Sequence, residues 1–192
     1  MAFIQIDRSG NFAIRLMHRT AFEFCDHFLM KFSLDNCSCV DHPELYRTNI
    51  SLSNVEDCNG MSFSVARMKN YLRTQSSYMR GYIYYSKTNN EPVGYVWVAY
   101  RGDNEFQYRI RTIDAFGFDF AVKNEYRGHG IVGFMIYQLL LLLQDEGIHD
   151  LYASVRKNNY AAISAYEKIG AVKVGRYKFC RFAGIRVPYP KI

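Results

Sequence analysis

The stretch from Asp119 to Asp145 constrains this chain more than any other. An extended, aromatic-rich run ending at Val122 enters Lys123-Asn124-Glu125-Tyr126-Arg127-Gly128-His129-Gly130. A long apolar run, Ile131 to Asp145, follows and is closed by Gly147. That run carries Gly133 and Gln138 and is too short for a membrane span, so it reads as a buried helix with a C-terminal glycine. A strand, a glycine turn and a helix in that order leave backbone N–H groups without partners at the helix start. The positive end of the helix dipole lies there too. The glycines let a ligand approach the backbone, and Arg127 adds a cation. The combination is an anion cradle suited to a pyrophosphate.

Two nucleotide readings of this loop compete. Gly128, Gly130 and Gly133 match the spacing G-x-G-x-x-G of a dinucleotide fold. That fold needs an acidic residue at the end of the next strand to hold a ribose, and here Leu151 to Val155 runs into Arg156. Too little chain remains for a second strand–helix–strand set. A Gly-Lys-Ser/Thr phosphate loop is absent as well.

The rest of the chain supplies one α/β domain's worth of elements in its 192 residues. Ile14, Met17, Ala21, Phe24, Cys25, Phe28 and Phe32 recur at three- and four-residue steps, which predicts an amphipathic helix. Residues 33–44 read as a loop, Leu45 to Leu52 as extended, and Phe63 to Leu72 as a second helix. Tyr82 to Tyr85 and Val93 to Tyr100 flank the turn cluster Thr88-Asn89-Asn90-Glu91-Pro92 and predict a hairpin. Tyr108 to Val122 is a third extended stretch, with Gly117 a bulge candidate. After the long helix come a short buried strand at Leu151 to Val155, a helix from Asn159 to Ile169 stopped by Gly170, and one or two closing strands over Val172 to Val187. The order is that of a mixed α/β fold.

Charge and cysteine usage narrow the partners. The formal charge is +6, which favours phosphate-bearing ligands, but no run of Lys/Arg marks a nucleic-acid surface. The five cysteines are odd in number and no leader precedes them, so free thiols and a cytoplasmic setting are expected. Cys37, Cys39, His42 and Cys58 fit no paired metal-ligand spacing, and no metal is expected.

A second signature stands downstream: Asn159-Tyr160-Ala161-Ala162-Ile163-Ser164-Ala165-Tyr166-Glu167-Lys168-Ile169-Gly170. Asn159, Ala162 and Tyr166 are three and four apart and share a helix face. Read alone, this is an amphipathic helix with a core tyrosine. Together, the segment Val122 to Ile131 and this helix resemble the pyrophosphate loop and the Asn-x-x-Ala-x-x-x-Tyr-Glu-Lys-x-Gly segment of the GNAT N-acetyltransferase superfamily. Two departures are plain: Val132 and Ala171 stand where the family has a small residue and Phe. The resemblance covers about Val93 to Val174.

The resemblance implies a single domain of mixed α+β, acyl-CoA N-acyltransferase type. A central mixed sheet flanked by helices would splay between the strand ending at Val122 and the strand at Leu151 to Val155. Residues 76–192 would form the acetyl-CoA core and residues 1–75 the acceptor side. Acetyl-CoA would be the cosubstrate, held by Ala121, Val122, Arg127, Gly128, His129, Gly130, Ile131, Val132, Asn159, Ala162 and Tyr166. The Val122 N–H would donate to the acyl oxygen, and Tyr166 would protonate the leaving thiolate. Asp119 or Asp114 would be the base. These two are five apart, so on a regular strand they face opposite ways. The acceptor expected is a small-molecule amine, with an amino sugar favoured and a peptide or protein amine the alternative. A homodimer, no nucleic acid and no membrane span complete the expected partners. A binding module without turnover and a dinucleotide oxidoreductase are the competing readings.

Overall fold

The structure, a computed structural model, describes residues 23–38, 41–61, 65–74, 78–100, 115–182 and 185–188. One sheet organises them. Its strands are β1 (Glu23–Ser33), β2 (Leu45–Asn49), β3 (Met79–Ser86), β4 (Pro92–Tyr100), β5 (Ala115–Val122), β6 (Asp150–Arg156), β7 (Val172–Phe182) and β8 (Ile185–Pro188). They lie in the order β2-β3-β4-β5-β6-β1-β7-β8. Only β5 and β6 pair in parallel. The α-helices are α1 (Val65–Thr74), α2 (Ile131–Asp145) and α3 (Tyr160–Lys168). No helix among the described residues is long and apolar enough to cross a membrane.

The sheet has a core on each face. Helices α2 and α3 cover one face, where Phe134, Met135, Leu139 and Tyr166 pack on Phe32, Val96 and Val98. Helix α1 covers the other, where Met68 and Tyr71 pack on Ile83, Tyr95, Trp97 and Phe116. The central strands are therefore buried on both sides, which is why β3 and β4 read as nearly continuous aromatic and β-branched runs. The hairpin, the second helix, seen as Val65–Thr74 with residues 63 and 64 outside the described residues, the long helix and the downstream strand–helix–strand stand as the sequence predicts.

Two expectations need correction. Residues 23–33 form β1, an inner strand, and not the second half of an amphipathic helix; residues 14–22 lie outside the described residues. Phe28, Met30 and Phe32 pack towards α2 and α3, while Leu29 packs towards α1. A step of four residues is also an even step, so Phe28 and Phe32 share a strand face as readily as a helix face. With both faces covered and both edges hydrogen-bonded, no polar alternation exposed the period. The second correction concerns Gly117. It stays in the ladder, opposite Val98 and Ala153. The irregularity lies further along, where Asp119 and Phe120 fall between the Phe118–Trp97 and Ala121–Tyr95 pairs and oppose Val96 alone.

Residues 34–38 and 41–44 lie as a strap between β1 and β2. The Ser38 N–H donates to the Ile169 carbonyl (3.3 Å), and its hydroxyl donates to the Lys168 carbonyl (3.1 Å). Helix α3 ends beside it in a glycine cap, with Gly170 and Ala171 N–H groups on the Glu167 and Tyr166 carbonyls (both 3.0 Å). Gly170 has φ +90°, and a Cβ there would stand 1.8 Å from the Asn36 carbonyl oxygen. Gly170→Ala combines left-handed strain with a backbone collision. It should lower stability by more than about 2 kcal/mol, measured by denaturant unfolding at constant slope.

Candidate active site

The loop between β5 and α2 is built as a cradle. Gly128 and Gly130 have φ +84° and +81°, and Gly130 is the N-cap of α2. A side chain at either position would be strained. The amide N–H groups of Ile131, Val132 and Gly133 start the helix and have no intrahelical acceptor. They open on a cavity of about 580 Å³ lined by Val122, Tyr126, Arg127, Gly128, Gly130, Ile131, Val132 and Gly133 on one side. Ala161, Ser164, Ala165, Lys168 and Ile169 of the α3 segment, with Ser38 of the strap, form the other side. The helices meet closely below it, for a Cβ on Gly133 would stand 2.7 Å from Ile169 Cγ2. Val132, the departure in the loop motif, is half-buried and lines the cavity without displacing the helix start from Ile131.

The register of β5 decides which backbone groups face this space. The Lys123 N–H donates to the Val93 carbonyl at 2.9 Å. That bond makes Gly94–Val122 a non-hydrogen-bonded pair, so the N–H and C=O of Val122 turn away from β4. On that far side β5 has lost its neighbour. It pairs with β6 only through Ala115–Leu151, Phe116–Tyr152 and Gly117–Ala153. The gap beyond Gly117 is the splay. The Val122 carbonyl accepts from Arg127 Nε at 3.1 Å, which leaves one carbonyl lone pair and the N–H for a ligand. By the same register, the polar groups of Ala121 turn towards β4.

Tyr166 of α3 is buried on the same face of the sheet as Phe120 and does not itself line the cavity. It is 7% exposed and meets Phe32 and Phe120 edge-on, with ring centroids 5.2 and 6.2 Å away. Burial pushes its phenol up to about 12, so the group stays protonated and serves as a donor. Asp119 sits in the bulge with φ +50°, a conformation that Asp and Asn tolerate. Its Oδ2 is buried without a hydrogen-bond partner. Burial raises its carboxyl above the usual range, and the Arg67 guanidinium on α1 opposes that shift. Phe118 beside it meets Tyr71 of α1 edge-on at 5.9 Å and stacks on Trp97 at 6.5 Å.

The other predicted residues fall into place unevenly. Asn159 caps α3, its Oδ1 accepting from the Ala162 N–H at 3.2 Å. Asn159, Ala162, His129, Ala121, Asp119 and Tyr166 do not line the cavity, and His129 is exposed. Asp114 lies outside the described residues. Of Cys37, Cys39, His42 and Cys58, Cys39 lies outside the described residues and the sheet divides the rest: Cys58 is buried in the α1-side core, while Cys37 packs on the α2 side and the His42 ring meets Phe134 there. Among the described residues no group of three metal-ligating side chains gathers. Sequence reasoning missed Ser38, Ser164, Lys168 and Phe120. The face repeat Ala161, Ser164, Ala165, Lys168 was legible as a helix stripe of small and polar residues. Ser38 gave no signal, because a loop residue is placed only by tertiary structure.

Comparisons with known proteins agree with this fold. The Acetyltransferase (GNAT) family matches residues 52–171. A functionally unknown conserved protein from Staphylococcus epidermidis is similar in structure, with a TM-score of 0.61 at 15% identity over 92% of this chain and 67% of its own. A GCN5-related N-acetyltransferase from Sphaerobacter thermophilus has a TM-score of 0.58 at 15% identity over 95% and 58%. An aminoglycoside 6'-N-acetyltransferase from Acinetobacter haemolyticus has 0.55 at 14% over 68% and 92%. The chain spans 58% to 67% of the length of the first structures it resembles. No curated protein matches it in sequence.

Asp119→Asn tests the buried carboxylate. The folded-state pKa is raised, so the stability linked to protonating Asp119 is fully present below the unfolded pKa and lost as pH rises through the folded one. The asparagine variant keeps the backbone and carries no buried charge. Its melting temperature should exceed the wild type's at neutral pH, by roughly 2–4 °C for each kcal/mol relieved. The gap should close towards about pH 4, as read by thermal unfolding at stepped pH.

Proposed function

The chain belongs to the acetyltransferase (GNAT) family, and from that premise we propose that it transfers an acetyl group from acetyl-CoA to the primary amine of a small molecule by direct attack. The observation that carries the reading is the Val122 N–H, turned into the splay between the anion cradle and Tyr166. The cradle, with Arg127, holds the pyrophosphate. The pantetheine arm lies along the unpaired edge of β5 and uses the remaining backbone capacity of Val122. The Val122 N–H donates to the carbonyl oxygen as negative charge develops there.

Proton movements follow from the two perturbed groups. The attacking amine approaches from the α1 side and loses a proton to the Asp119 carboxylate, whose raised basicity suits the task. Tyr166 gives its proton to the departing thiolate and recovers it from solvent or product. Phe118, half-buried and backed by Tyr71 and Trp97, supplies an aromatic wall beside Asp119. That wall supports a ring-shaped acceptor such as an amino sugar over an extended peptide.

Thermal unfolding tests the donor. Acetyl-CoA at about 100 times its Kd should stabilise the fold by about 2.7 kcal/mol, while NAD(H) and NADP(H) leave the melting temperature unchanged. A response to dinucleotides alone would replace this reading with an oxidoreductase. Arg127→Ala should weaken acetyl-CoA binding by about 10-fold or more. Once an acceptor is found by free-thiol assay, Tyr166→Phe should lower kcat by roughly 10²-fold or more while acetyl-CoA affinity stays within a few-fold. Equal loss in both would make Tyr166 a packing residue.

A further inference from the structure

One aromatic ring sits where the β5–β6 pairing ends. Phe120 belongs to the bulge, and its side chain turns to the face of the sheet covered by α2 and α3. The ring folds back over β5 itself. A Cβ built on Gly117 would stand 2.7 Å from Phe120 Cζ and 3.0 Å from its Cε2, with Leu151 Cδ1 next at 3.5 Å. No residue larger than glycine fits beneath the ring at 117. Gly117 is also the last residue of β5 paired with β6, opposite Ala153. The ring therefore covers the point from which the two strands separate.

Its surroundings are closed on one side only. Tyr166 meets the ring edge-on at 6.2 Å, and Phe32, 1% exposed, stands behind Tyr166 at 5.2 Å. Leu151 is fully buried. Phe120 itself is half-buried, so part of the ring remains open. The blind end of the splay is thus made of Phe120, Leu151, Tyr166 and the bare backbone of Gly117.

We propose that Phe120 is the acyl-length gate of this protein: it stoppers the blind end of the β5–β6 splay, so that an acetyl or propionyl thioester fits and a longer acyl chain does not. The inference rests on the acyl-CoA reading above and adds to it the class of donor. Filling is by an apolar ring packed edge-on against the buried Tyr166. A chain of four or more carbons must either displace the ring against Gly117 or leave the gap towards the acceptor side. The first route meets backbone, which does not yield. The second exposes apolar chain and obstructs the acceptor.

Isothermal titration with free CoA, acetyl-, butyryl- and octanoyl-CoA tests this without knowledge of the acceptor. The wild type should bind acetyl-CoA at least about 10-fold more tightly than butyryl- or octanoyl-CoA. In Phe120→Ala the order should reverse for butyryl-CoA, since each methylene accommodated in the vacated space is worth about four-fold in affinity. Phe120→Leu keeps an apolar side chain and guards against a folding defect in the alanine variant. It should shift the same preference in the same direction by a smaller factor. Gly117→Ala, which drives the ring into the gap, should weaken acetyl-CoA more than free CoA. Binding of all acyl-CoAs with equal affinity in the wild type would overturn the gate and leave the acetyl-CoA site intact. So would an unaltered preference in both Phe120 variants. Failure of every CoA species, free CoA included, would instead remove the donor site itself.

Discussion

The structure depends on parallel pairing that stops. β5 and β6 exchange hydrogen bonds through only three residue pairs and then separate. Buried backbone groups that lose a strand partner are costly unless something else satisfies them. Arg127 Nε supplies one partner, on the Val122 carbonyl. The Val122 N–H faces the same gap by register, and in the proposed function an amide-bearing ligand laid along β5 completes the edge. The splay is thus an opening that the ladder geometry leaves for an extended chain, and the helix start of α2 sets a charge-binding site at one end of it.

A single extra residue in β5 couples the two sides of that opening. Across the bulge, Phe118 packs with Tyr71 of α1, Asp119 feels Arg67 of α1, and Phe120 packs with Tyr166 of α3. On a regular strand alternate residues would fall on the same face. The bulge breaks that rule, and the carboxylate and the ring come to neighbouring positions with different neighbours. The conformational strain falls on Asp119 at φ +50°, a residue type that accepts it. Gly117 makes room for the consequence, since only a bare backbone allows the Phe120 ring to fold over it.

How much of this was legible in the sequence follows from the range of the signals. The cradle was legible because its parts are local: glycines with positive φ, a cation and a helix start occupy adjacent positions. The second motif was legible for the same reason, and its Asn159 and Gly170 act as the cap and stop that their spacing indicates. The direction of the Val122 N–H was not, because it depends on pairing with Val93 and Gly94 some thirty positions away. Ser38 was hidden likewise, since its place in the cavity follows from contacts with Lys168 and Ile169. β1 was misread because phenylalanines at intervals of four satisfy both periods and nothing exposed marked the difference. Phe120 gave no signal of its own, although a glycine three positions earlier in a strand is a mark of close approach.

The strand misread from sequence has a structural consequence of its own. β1 lies between β6 and β7, so the strand–helix–strand unit formed by β6, α3 and β7 is filled by a segment from the start of the chain. The same segment continues as the strap that seats Ser38 in the cavity and presses Asn36 on Gly170. Tyr166 lies one turn before that glycine, and the carbonyl of Tyr166 is tied by the Ala171 N–H in the cap. The ring of Phe32, from β1, fixes the other side of Tyr166. The position of the Tyr166 ring is therefore set by β1 and the strap as much as by the helix that bears it. Packing of that kind holds a phenol in one rotamer with its hydroxyl protonated, the state that the proposed role of proton donor to a leaving thiolate requires.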